Sequence, residues 1–355
     1  MNLFELGYNE KVKAGGRQGV PDNLVHGRVI AEHKERYIVG TASGEYEAEI
    51  TGNMRFSAGS REDYPAVGDW VNLMIYDDHS AIIHSILPRY SLLKRLAVGK
   101  KGDIQVIAAN IDYAFIMQAV DRDYNPNRME RYLTLCNASG VKPLILLSKI
   151  DLISENRLHE MVLHLKERIP EVPVLKVSNE SKAGYAELNK HIIKGRTYCL
   201  LGSSGVGKST LLNNLARKDM MRTGSLSSST NKGKHITSHR ELIILPDGGI
   251  LIDNPGMREV GIADEENGLE RTFGLIEDLS KDCKYADCRH THEKGCAVIA
   301  AVEKGEIERA SYENYLKLER EKAHYGSTAA EKKKKDKTFG KLMKNYKKDV
   351  KRNDL

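Results

Sequence analysis

The chain has 355 residues, 29% charged and 40% hydrophobic, with a mean hydropathy of −0.47, a size that predicts two or three domains and ample apolar mass for a core. No run of 18 apolar residues occurs, the N-terminus lacks the basic-then-apolar pattern of a secretory signal, and five cysteines are too few for a disulfide scaffold; a membrane span is excluded and a cytoplasmic location is expected. The net charge of +6 is uneven: between Glu331 and Leu355 eleven Lys/Arg face four Asp/Glu, a balance of +7 that leaves −1 for the preceding 330 residues.

Five short strands are expected first, at Val25–Ile30, Arg36–Val39, Tyr46–Ile50, Asp69–Leu73 and Ser80–Ile86. The third alternates, with Tyr46, Ala48 and Ile50 on one face. Gly40, Ser43-Gly44, Gly52-Asn53, Pro65 and Gly68 punctuate them. Five strands in about 65 residues fit a small barrel. An OB-fold is the leading candidate, although pattern alone does not separate it from an SH3-like barrel.

The middle of the chain changes character. Tyr113–Met117, Leu144–Leu147, Val172–Val177 and Tyr198–Leu201 are apolar runs of the buried parallel type, and helical stretches such as Arg128–Ala138 and Glu155–Arg168 alternate with them. An α/β layer with a parallel sheet is expected. The second run leads into Ser148-Lys149-Ile150-Asp151 and the third into Ser178-Asn179-Glu180.

The fourth run leads into Gly202-Ser203-Ser204-Gly205-Val206-Gly207-Lys208-Ser209, a full GxxxxGKS phosphate loop, followed by Thr210 and a helix to Ala216. Its glycines let backbone N–H groups curl around a β-phosphate, Lys208 reaches the β and γ oxygens, and the Ser209 hydroxyl suits Mg²⁺. A Ser/Thr/Gly-rich stretch from Thr223 to Ser238 has the composition of a switch loop. Gly249–Asp253 then supplies a strand-end carboxylate, and Asp253-Asn254-Pro255-Gly256 completes a DxPG element. Asp253 would hold Mg²⁺ and the Gly256 N–H would contact a γ-phosphate.

Guanine is read by an [N/T]KxD element whose Asp accepts from the base. Downstream of the phosphate loop, Ser280-Lys281-Asp282-Cys283 lacks the final aspartate, whereas upstream Ser148–Asp151 has it. Ser148, Lys149 and Asp151 are therefore expected to read the base and Ser178 to back it. The resulting order is base-reading, base-backing, phosphate loop, switch I, switch II, that of a circularly permuted GTPase. Ser148 stands where Asn is usual, so an amide that braces the phosphate loop is missing and a hydroxyl replaces part of its bonding.

Cys283, Cys288, His290 and Cys296 form a CCHC set within 14 residues. Three thiolates and one imidazole close a tetrahedral site with no open position, which marks one structural Zn²⁺. His292 is a competing ligand, and His290 is preferred. The basic tail is a solvated run or an arm that grips nucleic-acid phosphates.

Together these residues resemble the RsgA/YjeQ family of ribosome-small-subunit-dependent GTPases. The resemblance rests on Gly202–Ser209 with Leu211-Leu212-Asn213, Gly233-Lys234-His235-Ile236-Thr237, Asp253–Gly256, and Cys283 to Cys296 followed by Gly305-Glu306-Ile307. It implies a multidomain fold: an OB-fold β-barrel over 1–92, a circularly permuted α/β P-loop GTPase over 93–262, a mostly helical zinc domain over 263–330, and the basic tail, 331–355. It implies hydrolysis of GTP to GDP, stimulated by the small ribosomal subunit during its late maturation. The expected partners are that subunit, its rRNA and other assembly factors, with no membrane, and the protein is expected to be a monomer. His235 is implied as the catalytic group in place of a Ras-like Gln, since Met257 after DxPG cannot orient water. Thr237 is left as the Mg²⁺ and γ-phosphate candidate because Ile236 replaces the family's first Thr. The alternatives are a nucleotide-gated RNA-binding module with negligible turnover and a P-loop kinase. The latter is disfavoured by DxPG and the base-reading aspartate.

Overall fold

A computed structural model of the chain describes residues 2–15, 23–33, 36–96, 104–121, 123–217, 241–253 and 267–326. The switch stretch Thr223–Ser238 with His235, Ile236 and Thr237, the residues Asn254–Met257, and the tail 331–355 lie outside the described residues.

The N-terminal segment carries a short helix, α1 (Glu10–Gly15), and is followed by β1 (Val25–His33), β2 (Arg36–Thr41), β3 (Glu45–Ile50), α2 (Gly52–Ser57), β4 (Trp70–Ile75) and β5 (Ser80–Ile86). β1 pairs with β2, β2 with β3, β3 with β5, β5 with β4, and β4 returns to β1, which closes a five-stranded barrel. Every pair is antiparallel except β3 with β5. This is the Greek-key barrel of the OB type, so the sequence expectation holds. Its core is Val29, Tyr37, Val39, Ala48, Ile50, Val71, Leu73, Ala81 and Ile83. In β3 the two buried side chains are Ala48 and Ile50, while the intervening glutamates face water, which is the alternation read from sequence.

A hairpin of β6 (Leu92–Leu96) and β7 (Ile104–Ala109) follows. Next come β8 (Tyr113–Ala119), α3 (Pro126–Ala138), β9 (Lys142–Ser148), α4 (Glu155–Arg168), β10 (Val174–Val177), α5 (Tyr185–Lys190), β11 (Thr197–Leu201), α6 (Lys208–Ala216), β12 (Glu241–Ile244) and β13 (Ile250–Asp253). The strands order as β10-β9-β8-β11-β13-β12, parallel except for β12. Successive residues face opposite layers. Ala114, Ile116, Ile145, Leu147, Cys199 and Leu201 pack with Met129 and Leu133 of α3 and Met161 and Leu165 of α4. Phe115, Met117, Leu144, Leu146, Tyr198 and Leu200 pack on the other side with Leu188 of α5 and Leu211, Leu212 and Leu215 of α6. Covering both faces explains why these strands read as continuous apolar runs.

β1 touches β12 at Ala31 and Glu241, linking barrel and sheet. Beside that link lies Arg28, fully buried, which donates to Leu6 O at 2.6 Å, Gly68 O at 3.1 Å and Asn110 O at 3.1 Å. One guanidinium thereby satisfies backbone acceptors from the N-terminal segment, the barrel and the start of β8's layer. Its five fixed donors and apolar stem suit that task better than a lysine would.

Four helices complete the described chain: α7 (Gly268–Thr272), α8 (Gly274–Ser280), α9 (Ala297–Lys304) and α10 (Arg309–Gly326). Leu269, Phe273, Ile276, Val298, Ala301, Ile307 and Leu318 form their small core. This unit docks on α3. A Cβ at Gly268 would meet Thr134 O at 2.5 Å, so the first residue of α7 approaches α3 at backbone distance.

Candidate functional site

In a parallel sheet the loops at the carboxyl ends of the strands share one edge, and ligands bind there. β11 is buried along its whole length and ends at Leu201. Gly202, Gly205 and Gly207 follow with φ of +149°, +82° and +98°. A Cβ at Gly202 would lie 2.5 Å from Met117 O on the neighbouring strand, so this turn requires glycine. The loop delivers Lys208 to the first position of α6, with Ser204, Gly205 and Ser209 exposed. Lys208 Nζ donates to Gly202 O and Ser203 O, both at 2.7 Å, folding its charge over its own loop. N–H groups at a helix start together with an ammonium over a glycine turn make an anion site.

Three neighbours hold the loop. β9 ends at Ser148, fully buried, whose Oγ donates to Val206 O at 2.7 Å. From the loop after β10, Asn179 Nδ2 donates to Gly207 O at 3.0 Å. From α3, Arg128 Nη1 donates to Ser203 Oγ at 2.8 Å. Lys149, left-handed at φ +60°, sends its Nζ to Asp121 Oδ2 at 2.8 Å, and Asp151 sits exposed in the 3₁₀ turn that follows. Ser178 is buried; its Oγ accepts from Ser181 N at 3.1 Å and its N–H donates to Ala183 O at 3.0 Å. Asp253 ends β13, which runs parallel to β11 with Cys199 opposite Ile252, and is 7% exposed.

The residues expected from sequence at Ser148–Asp151, Ser178, Gly202–Thr210 and Asp253 therefore converge on one sheet edge. His235, Thr237 and Gly256 are outside the described residues. Sequence reasoning missed Arg128, Asp121, Asn179 as a loop brace, and the Tyr185 and Asn214 side chains behind Asn179. Asn179 adjoins Ser178 in the motif, a signal that was visible. The others sit on neighbouring elements, and only the fold brings them close.

The second site is the cysteine cluster. The ligand atoms of Cys283, Cys288, His290 and Cys296 all lie within 4.8 Å of one another. Zinc bonds of about 2.3 Å to sulfur and about 2.0 Å to nitrogen, at tetrahedral angles, put two sulfurs about 3.8 Å apart and sulfur and nitrogen about 3.5 Å apart. Cys283 Sγ and Cys296 Sγ are 3.8 Å apart, and His290 Nδ1 lies 3.6 Å and 3.4 Å from them. The four side chains thus fit one zinc ion with no open position. His290 is buried and burial lowers its pKa, the direction that favours the neutral imidazole a metal ligand needs. His292 is exposed and bonds Thr291 Oγ1, whereas His290 lies with the three thiols. Glu293 shapes the knuckle by accepting from the N–H groups of Arg289, Thr291 and His292.

The RsgA GTPase family matches residues 86–263. Over 349 residues the chain is 39% identical to "Small ribosomal subunit biogenesis GTPase RsgA 1" of Bacteroides thetaiotaomicron, covering 98% of this chain and 97% of that protein. It is 42% identical over 299 residues to the protein of the same name from Oceanobacillus iheyensis, covering 84% and 85%. Among solved structures, YjeQ from Thermotoga maritima matches with a TM-score of 0.63 and 26% identity, over 86% of this chain and all of that one. YloQ, described as a circularly permuted GTPase, matches with a TM-score of 0.63 and 25% identity over 88% of this chain and all of its own.

Proposed function

This chain belongs to the RsgA GTPase family, and we propose that it binds the small ribosomal subunit and hydrolyses GTP to GDP and phosphate during late maturation of that subunit. The observation that carries the reading is the convergence, in permuted chain order, of the base-reading, base-backing and phosphate loops at one sheet edge. Asp151 and Lys149 read guanine, with Ser148 and Ser178 shaping the pocket wall. The N–H groups from Gly202 to Thr210 cradle the phosphates. Lys208 leaves its two loop carbonyls for the β and γ oxygens, offsetting charge that builds during bond cleavage. Ser209, Asp253 and Thr237 offer the oxygen donors that suit Mg²⁺, which when bound neutralises the phosphate oxygens. Gly256 contacts the γ-phosphate, and His235 orients the attacking water.

One Zn²⁺ at Cys283, Cys288, His290 and Cys296 is structural. The division is a barrel over 1–92, the permuted GTPase over 93–262, the zinc unit over 263–330 and the basic tail over 331–355. Barrel, zinc unit and tail contact rRNA, and the tail adds a strongly salt-dependent grip. No helix among the described residues is long and apolar enough to cross a membrane; the protein acts as a cytoplasmic monomer that meets other assembly factors on the subunit.

The test is turnover of GTP and ATP with and without purified small subunits, at low and moderate salt. The expected result is a large stimulation by the subunit, confined to GTP and reduced by His235→Ala. Tight binding to the subunit without stimulated turnover would replace this reading with a nucleotide-gated binding module.

A further inference from the structure

Within that reading of the site, we propose that Asn179 is a positioning residue that supplies, from the base-backing loop, the bracing amide that Ser148 cannot. A hydroxyl has one proton and an amide has two. Ser148 spends its proton on Val206 O. The next carbonyl along the loop, Gly207 O, is held by Asn179 Nδ2 at 3.0 Å. The two base-contacting loops thus fasten consecutive peptides of the phosphate loop, and the second fastened peptide immediately precedes Lys208.

The donor directions around Asn179 are mutually consistent. Asn214 Nδ2, on α6, donates to the Tyr185 hydroxyl at 2.7 Å. That leaves the Tyr185 proton for Asn179 Oδ1, at 2.8 Å, and turns the amide's Nδ2 toward Gly207 O. The chain Asn214, Tyr185, Asn179, Gly207 has one sense throughout and ends on a carbonyl that can only accept, which fixes the orientation of the amide. Gly207 makes room for it: a Cβ there would lie 2.6 Å from Asn179 Nδ2. The Gly207 carbonyl accepts Leu211 N as well, at 2.9 Å, so the brace is shared with the first turn of α6. With these carbonyls held from outside, the loop's N–H groups are left for phosphate oxygens.

The compensation has a distinctive signature, rescue by the residue that Ser148 replaces. The measurement is dissociation of a fluorescent GDP analogue from the full chain, with KM and kcat for GTP alongside. Asn179→Ala is expected to speed dissociation roughly five- to tenfold, the value of one buried hydrogen bond, and to raise KM more than it lowers kcat. Ser148→Asn in the same chain should return dissociation to within about twofold of the unsubstituted protein. Tyr185→Phe keeps the ring but removes the proton that orients the amide; it should show a smaller loss with the same rescue, and it carries the test if Asn179→Ala does not fold. The proposal is overturned if Asn179→Ala leaves dissociation unchanged, or if Ser148→Asn fails to rescue either variant. Failure of the unsubstituted chain to bind GDP would instead remove the nucleotide reading, and this inference with it.

Discussion

Glycines in the phosphate loop separate two costs that sequence alone merges. Gly205, at φ +82°, has nothing within 4 Å of an added Cβ, whereas Gly202, at φ +149°, would place one 2.5 Å from Met117 O. Gly205→Ala should therefore cost only the left-handed backbone strain, about 1–2 kcal/mol. Gly202→Ala adds overlap with a carbonyl on a central strand and should cost about 3 kcal/mol or more. Urea unfolding of both variants checks the order; equal losses would show that β8 yields without penalty. At this scale the motif was legible because phosphate chemistry demands those residue types at that spacing. The hydroxyl of Ser148 reaches the loop as its strand-end position implied. Arg128, Tyr185 and Asn214 were not legible, because an arginine on a helix or a tyrosine after a glycine has the same local pattern whatever it faces.

Elements whose burial is periodic were legible for the same kind of reason. α4 begins at Glu155 and ends at Arg168 as its pattern requires, and the five barrel strands lie where turn residues bracket them. The β6–β7 hairpin and β12 were missed. Leu92–Leu96 carries Lys94 and Arg95 in mid-strand, and β12 has only four residues, so neither shows a period long enough to read. The contact between α3, α4 and α10 was also invisible, since it joins polar residues far apart in sequence. Glu130 pairs with Arg168 at 2.6 Å and 2.8 Å and also accepts from Ser311 and Asn314. The pair is almost wholly buried, at 2% and 4% side-chain exposure. Arg131 pairs with Glu321 at 2.7 Å, but both side chains remain more than a fifth exposed. Glu130→Ala leaves the buried Arg168 guanidinium only Asn127 and the partly exposed Glu308 at 3.4 Å, and should destabilise the protein by about 3 kcal/mol. Arg131→Ala should cost no more than about 1 kcal/mol. Denaturant midpoints would decide, and a larger loss for Arg131→Ala would show that the exposed pair holds the helices together.

For the whole molecule, permutation changes what lies next to what. In this order 14 residues separate Asp253, at the end of its strand, from Gly268, the first residue of α7. That unit is seated on α3, whose first turn reaches the phosphate loop through Arg128 and whose middle reaches α10 through Glu130. Two connections, one along the chain and one through α3, therefore join the nucleotide site to the zinc unit. Their integrity is expected to depend differently on a metal at the cysteine cluster. The helices α7 to α10 share a small core in which Cys296 and, at its border, Cys283 and Cys288 take part. The cluster is thus packing as well as ligand set. A zinc ion held there would contribute folding free energy, on the order of 10 kcal/mol in isolated zinc modules, more than so few apolar side chains can replace. Neither layer of the parallel sheet draws its core residues from the cysteine cluster. Chelation should therefore open residues 267–326 to protease while GDP binding survives, and Cys288→Ser should do the same. If GDP affinity falls in step with zinc loss, the phosphate loop depends on the seated unit, and α3 transmits more than its contacts with Arg128 alone would require.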